Sequence, residues 1–425
     1  MQKTMETVKA LFAPRDMCQG TPWKRIAEFA FPMLIGNFAQ QLYNTVDAII
    51  VGKFVGTQAL AAVGDSASLV INLVVGFFVG LASGIMVAIS QYFGAREYDK
   101  LQKTVNTAIA FCVIAGAVLT VVGILTAPWV LEFVKNPADT MEDSITYLRI
   151  YYVGLIPLLI FNVGSGILRA MGDSRRPFYY LIVCCVLNII LDIVFVLVFK
   201  MGVAGVGWAT VISLVFSAVL VMMNLCSANA EYRVDLKRIR IDREALSRGL
   251  YLGIPAGIQS AMFSLSNLLV QAAVNGFGSQ AVAAWSATGK FDGVYWSISN
   301  SFGIAISAFV AQAFGAGKYD RMKKSVKVCM GMALGTSVVL SVILLLIAPY
   351  GMRLFTDDQA VIDYALEMLM YFVPFYFIWS FIEVLSNSLR GAGDVMRPMV
   401  IIMGRITSPA PRRELDSTSM KDQMK

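Results

Sequence analysis

A chain of 425 residues that is 57% hydrophobic and 15% charged, with a mean hydropathy of +0.67, has too little polar surface to cover itself as a soluble globule. Its net charge of +7 comes from basic residues in short loops between apolar runs, which argues against nucleic acid, and it has no histidine to build imidazole metal sites or proton relays. The apolar runs are long and continuous rather than ten-residue alternations, which excludes a β-barrel and predicts an all-α polytopic membrane protein.

Spans of roughly 20 apolar residues, longer where tilted, are predicted at 25–50, 59–92, 103–127, 141–168, 178–199, 203–228, 246–275, 281–313, 325–348 and 360–389. The polar N-terminal segment 1–24 leads straight into the first full span, so no removable signal peptide is expected. The six cysteines lie mostly inside apolar runs and read as small buried hydrophobes. Lys and Arg collect on alternate loops: in 1–24, around Arg96, Arg169 to Arg176 and Arg233 to Arg248, in 318–327, and at Arg390 and Arg397. That alternation places the N-terminus in the cytoplasm of a multi-pass inner (plasma) membrane protein.

The chain repeats itself. Pro32, Asn44 and Gln58 to Ala62 are answered about 223 residues later by Pro255, Asn267 and Gln280 to Ala284. Further on, Gln91 to Ala95 matches Gln312 to Ala316, Pro157 matches Pro374, and Leu168 to Asp173 matches Leu389 to Asp394. Two pseudo-symmetric bundles in the same orientation follow, a plan typical of alternating-access carriers. Their expected extents are 25–228 for a six-helix bundle, 229–245 for a cytoplasmic linker, and 246–404 for a second bundle of four complete helices and a stub. The polar stretch 405–425 cannot cross a bilayer, so two helices are absent relative to the repeat. A cut or altered reading frame is the expected reason.

One half carries a charge the other lacks. Asp47 lies late in the first span and is answered by Val270. A carboxylate at membrane depth costs at least ~2.5 kcal/mol, so it faces protein or water and is usually functional. Asn188 and Asp192 are four residues apart on one helix face. At ~1.5 Å per residue Asp192 lies about 20 Å along its span, and Thr210 comes about 10 Å down from the other side. Two carboxylates, an amide and a hydroxyl make a hard-oxygen cluster suited to Na⁺, or to a proton shared by two acids that resist double ionisation; the alternative is that each acid merely pins helices. Pro32, Pro157, Pro255 and Pro374 fall within spans, where proline kinks a helix. Tyr43 and Asn44 are candidates for lining a cavity, and Glu383, Lys290 and Asp292 for lining one in the second half, with Lys290 and Asp292 alternatively a pair that snorkels outward.

These residues resemble the multidrug and toxic compound extrusion (MATE) family, most of all its DNA-damage-inducible-like bacterial branch. The resemblance is carried by Pro32 with NTVDAIIVGKFVGTQALAAVG, QYFGARE, LRAMGDSRRP, LNIILDIVFV and GWAT, then GFGSQAVAAWS, AQAFGAG and LRGAGDVMRP. It implies efflux of amphipathic, often cationic compounds from a cavity between two bundles, driven by inward Na⁺ or H⁺, with no other cofactor. It also implies a coupling-ion site at Asp47, Asn188, Asp192 and Thr210, a first helix that bends at Pro32, and a monomer in the bilayer with small-molecule partners. The alternatives are a lipid-linked oligosaccharide flippase of related plan, whose cavity would be cationic, and a non-transporting remnant. No nucleophile elbow, phosphate loop or metal-ligand spacing supports an enzyme.

Overall fold

Pro22 opens the first helix at a position where its missing N–H would have had no partner, and the helix, α1 (Pro22–Ile50), runs through Pro32 before ending in the π-helical turn Val51–Val55. The computed structural model describes residues 17–64, 66–134, 136–227, 232–235, 239–353 and 358–407. Asp65, Lys135 and the tail from 408 lie outside the described residues.

The first half continues with α2 (Thr57–Gly64), α3 (Ser66–Ala95), α4 (Tyr98–Phe133), α5 (Met141–Val153), α6 (Leu155–Ala170), α7 (Arg175–Ile193) and α8 (Gly202–Ser227). The second half repeats the order with α9 (Arg243–Asn275), α10 (Ser279–Gly315), α11 (Tyr319–Met352), α12 (Gln359–Phe372), α13 (Tyr376–Gly391) and α14 (Met396–Thr407). Asp242 and Asp358 cap α9 and α12 through their carboxylates, each accepting a backbone N–H at 2.9 Å.

Among the described residues seven helical stretches are long and apolar enough to cross a membrane, and the pair α5–α6 makes an eighth. The other two of the ten expected spans correspond to α1 and α9. Both carry more polar residues than the others; α1 turns its polar residues to a cavity, and α9 packs a face of Gly249, Leu252, Gly253, Ala256 and Gly257 along α3. The expected unbroken span 141–168 is two helices bent by 48° at Gly154. Pro157 cannot donate to the Val153 carbonyl and its ring crowds it, so the helix breaks just before the proline. In the second half Pro374 likewise sits in a 3-10 turn, Val373–Phe375, between α12 and α13.

Each half has its own core. In the first, Ile89, Leu101, Ile109, Ile167 and Leu168 are fully enclosed among α3, α4 and α6. In the second, Ile306, Phe309 and Cys329 join α10 to α11, and α1 contributes Ile26, Phe29, Ala30 and Met33 to that core. The far end of α1 packs with the first half instead, through Ile50, Val51, Tyr147 and Val203. The first helix is therefore shared between the two halves, although the sequence boundary at 25 assigns it to one.

At the end carrying the basic loops the halves are pinned reciprocally. Gln91 Nε2 donates to the Gly391 carbonyl at 2.9 Å, and Gln312 Nε2 donates to the Ala170 carbonyl at 2.7 Å. A Cβ on Gly94 would run into the Gln312 backbone, and one on Gly315 into the Gln91 backbone, so only glycine allows the helices this close. The glutamine oxygens are used as well, accepting from Arg248 Nη2 at 2.8 Å and from the Met17 N–H at 3.1 Å. Arg321 holds the segment Met17–Gly20 by donating to the carbonyls of Met17, Gln19 and Gly20 at 2.8–3.0 Å.

Candidate functional site

A cavity of about 790 Å³ opens between α1, α3, α5, α6, α7 and α8. Pro32, Asn37, Gln40, Gln41, Tyr43, Asn44 and Asp47 reach it from α1. These positions follow the three- and four-residue spacing of one helical face, which explains why the polar residues of an otherwise apolar helix stay out of lipid. From the second half, Asn300 and Ile304 of α10 close one side.

Three helices bring the acids and their companions together at the end of the cavity away from the basic loops. Asp47 is three residues from the end of α1. Asp192 is 17 residues into α7, about 26 Å along it, and Thr210 is eight residues into α8, about 12 Å from the opposite end. Asn188 Nδ2 donates to Thr210 Oγ1 at 3.5 Å, and the Thr210 hydroxyl donates to the Val206 carbonyl at 3.1 Å. Asn188, Thr210 and Asp47 line the cavity, while Asp192 sits behind them with none of its surface exposed. Asp47 and Asp192 lie within electrostatic reach of each other and of Tyr147.

The polar oxygens here are short of donors. Asp47 Oδ1, Asn188 Oδ1 and both oxygens of Asp192 are buried without a hydrogen-bond partner. Enclosed carboxylate oxygens in this condition are costly unless a proton or cation joins them. The donor set, two carboxylates with an amide oxygen and a hydroxyl, is all hard oxygen and fits a proton or Na⁺.

Tyr147 and Tyr151 of α5 and Arg169, Ser165 and Asn162 of α6 also line the cavity and were not singled out from the sequence. The tyrosines sit four residues apart in TYLRIYYV, a visible i, i+4 pair inside a span. Its place in the chain groups Arg169 with the basic loop Arg169 to Arg176, but its side chain reaches the cavity. Burial of the carboxyl of Asp173, in the loop after α6, raises it above the usual range, opposed by Arg176 and by the N–H groups of Arg175 and Arg176.

Glu383, Lys290 and Asp292 are not among the residues lining this cavity. They belong to the second half. Asp292 accepts a hydrogen bond from the Tyr376 hydroxyl, and Tyr376 stacks on Tyr295 with ring centroids 4.1 Å apart. Glu383 accepts from Asn387 at 2.8 Å. Lys290 is exposed, with no salt bridge to Asp292 among the described residues.

Comparison with known proteins agrees with this architecture. The MatE family model matches twice, over residues 32–194 and again over 255–408. The probable multidrug resistance protein YoeA of Bacillus subtilis is 30% identical over 93% of this chain and 87% of its own length. The probable multidrug resistance protein YpnP of the same organism is 25% identical over 91% of this chain and 86% of its own. A solved multidrug resistance MATE family transporter in an outward-facing conformation shares the fold with a TM-score of 0.86 at 23% identity, covering 92% of this chain and 87% of that one. The chain belongs to the MatE family, and with it to the multi-pass helical membrane transporters rather than the enzymes.

Proposed function

We propose that the protein is a multidrug efflux antiporter of the inner (plasma) membrane, with its N-terminus and basic loops in the cytoplasm. It exports amphipathic, often cationic compounds, and inward movement of Na⁺ or H⁺ drives the export. The names of its relatives support the substrate class. The observation that carries the coupling is the set of donor-starved oxygens on Asp47, Asn188 and Asp192 beside one cavity.

The mechanism follows from that geometry. A cation or proton shared by Asp47 and Asp192 leaves one net negative charge between them, relieves their repulsion, and lets α1, α7 and α8 draw together. Without it, their repulsion and the desolvation of two charges favour a state in which water or a cationic substrate reaches Asp47. The two halves rock about the α3–α9–α10 interface, α1 follows by flexing near Pro32, and the cavity changes sides. A monomer suffices, because the cavity and all four coupling residues lie in one chain.

The test is reconstitution of the full chain in liposomes loaded with a cationic dye. An imposed inward gradient of Na⁺ or of protons should accelerate dye export severalfold over vesicles without a gradient. Equal export with and without both gradients would exclude the antiport reading.

A further inference from the structure

Arg169 and Arg390 occupy equivalent places in the repeat, but their surroundings differ. In the second half the arginine is satisfied. Arg390 Nη2 donates to Gln259 Oε1, and the Glu383 charge acts on it from two turns earlier on the same helix. The first-half positions that answer Glu383 and Gln259 are Asn162 and Gly36. Gly36 offers no side chain, and Asn162, whose Nδ2 donates to the Leu158 carbonyl at 2.9 Å, is neutral, so neither brings Arg169 a counter-charge.

Arg169 is left with a buried Nε that has no acceptor, and Ser165 Oγ is buried without a partner as well. Among the described residues no salt bridge reaches Arg169. Asn162, Ser165 and Arg169 stand at i, i+3 and i+7 on α6, one face of the helix, and all three line the cavity. A guanidinium nitrogen buried without an acceptor is costly, and the fork of donors on this half-buried side chain matches the two oxygens of a carboxylate or phosphate. The Ser165 hydroxyl adds a further donor on the same side.

We propose that Arg169, Ser165 and Asn162 form an oxyanion subsite at the basic end of the cavity, which takes the carboxylate or phosphate ester of an amphipathic molecule. The proposal rests on the reading of this cavity as the substrate chamber and extends its substrate class to zwitterions and anionic amphiphiles. The subsite is separate from the acid cluster. Arg169 stands one residue from the end of α6, whereas Asp192 is 17 residues into α7, about 26 Å along the helix that begins at Arg175. The oxyanion arrives either on the transported solute or on an anionic lipid headgroup.

The experiment uses the full chain, purified in neutral detergent, and two forms of one xanthene dye: the zwitterionic free acid and its cationic ethyl ester. In fluorescence-anisotropy titrations Arg169→Gln should weaken free-acid binding about tenfold, as for loss of a charge-assisted bidentate contact, and leave ester binding within about twofold. Arg169→Lys, which keeps the charge but not the fork, should fall between. If Arg169→Gln does not yield monodisperse protein, an unchanged acid-to-ester ratio in Arg169→Lys overturns the proposal. So does parallel weakening of both dyes, or of neither, in Arg169→Gln. Repeating the titrations in nanodiscs with and without phosphatidylglycerol identifies the source: competition in the wild type that disappears in Arg169→Gln assigns the subsite to lipid, and its absence assigns it to the solute. Failure of the wild type to bind even the ester would count against the chamber itself and not against Arg169.

Discussion

Gln91 and Gln312 make the same hydrogen bond in opposite directions: each reaches out of its own half and caps the carbonyl at the end of the equivalent helix in the other, Gly391 and Ala170 respectively. Four residues related by the internal repeat thus close one end of the molecule symmetrically. If that end faces the cytoplasm, these bonds must break each time the cavity opens inward. The Arg248 bond to Gln91 Oε1 also joins the halves, so at about 1 kcal/mol for each neutral bond and about 1.5 kcal/mol for the one from a charged donor the double variant Gln91→Ala with Gln312→Ala is worth roughly 3.5 kcal/mol, or about 300-fold in the population ratio, toward the inward-open state. Spin labels at Glu97 and Lys323, both exposed at this end, should show a longer distance population growing in the double variant. An unchanged distribution would mean that the glutamines pack the interface without holding it shut.

The two repeat-related aspartates after α6 and α13 are expected to differ in weight. Asp173 Oδ1 accepts the N–H groups of Arg175 and Arg176 at 3.1 Å, and its side chain is nearly enclosed. Asp394 makes the same kind of bond to Arg397 at 3.2 Å in a more open setting. Asp173→Ala should cost about 1 kcal/mol as a lost helix cap, read as a lower melting temperature, and Asp394→Ala markedly less. Because burial raises the Asp173 carboxyl, the folded chain binds a proton there more readily than the unfolded chain. That contribution to stability is present below the unfolded pKa of ~3.9 and is lost as pH rises through the folded value. The charge is therefore no asset at neutral pH. Asp173→Asn, which keeps an acceptor oxygen, should melt close to the wild type.

In the second half the Tyr376 hydroxyl is the hydrogen-bond partner of Asp292. Tyr376→Phe keeps the stack on Tyr295 and removes only that donor. A half-buried carboxylate left unpaired costs about 1–3 kcal/mol, so the variant should melt several degrees lower in a thermal-shift assay. Lys290→Ala, at an exposed position on the same helix, should be silent. Equal melting of Tyr376→Phe and wild type would show that Asp292 finds another donor.

Much of this could be read from residue order alone, for reasons tied to particular positions. Polar residues on α1 announced a face that avoids lipid, and the i, i+4 spacing of Asn188 and Asp192 fixed their common side. Counting rise per residue then placed Asp192 and Thr210 at the same depth, because rigid helices convert sequence distance into height. What resisted reading was direction and neighbourhood. Arg169 reads as a loop charge in the sequence because position in a span says nothing of where a long side chain turns. The break at Gly154 was hidden because an apolar run looks the same on both sides of a bend, and only Pro157 hinted at it. The reciprocal Gln91 and Gln312 bonds needed both halves in place, since neither residue is charged and each partner is a backbone carbonyl some 140–300 residues away.

The central claim, that Asp47 and Asp192 hold the coupling cation, is tested most directly by counting cations released when substrate binds. Purified protein in weakly buffered solution, followed with a pH indicator and a sodium-selective electrode, should release a proton or Na⁺ on addition of a cationic dye. Asp47→Asn and Asp192→Asn should fold and bind dye yet release none. Release from either variant equal to that of the wild type would contradict the account.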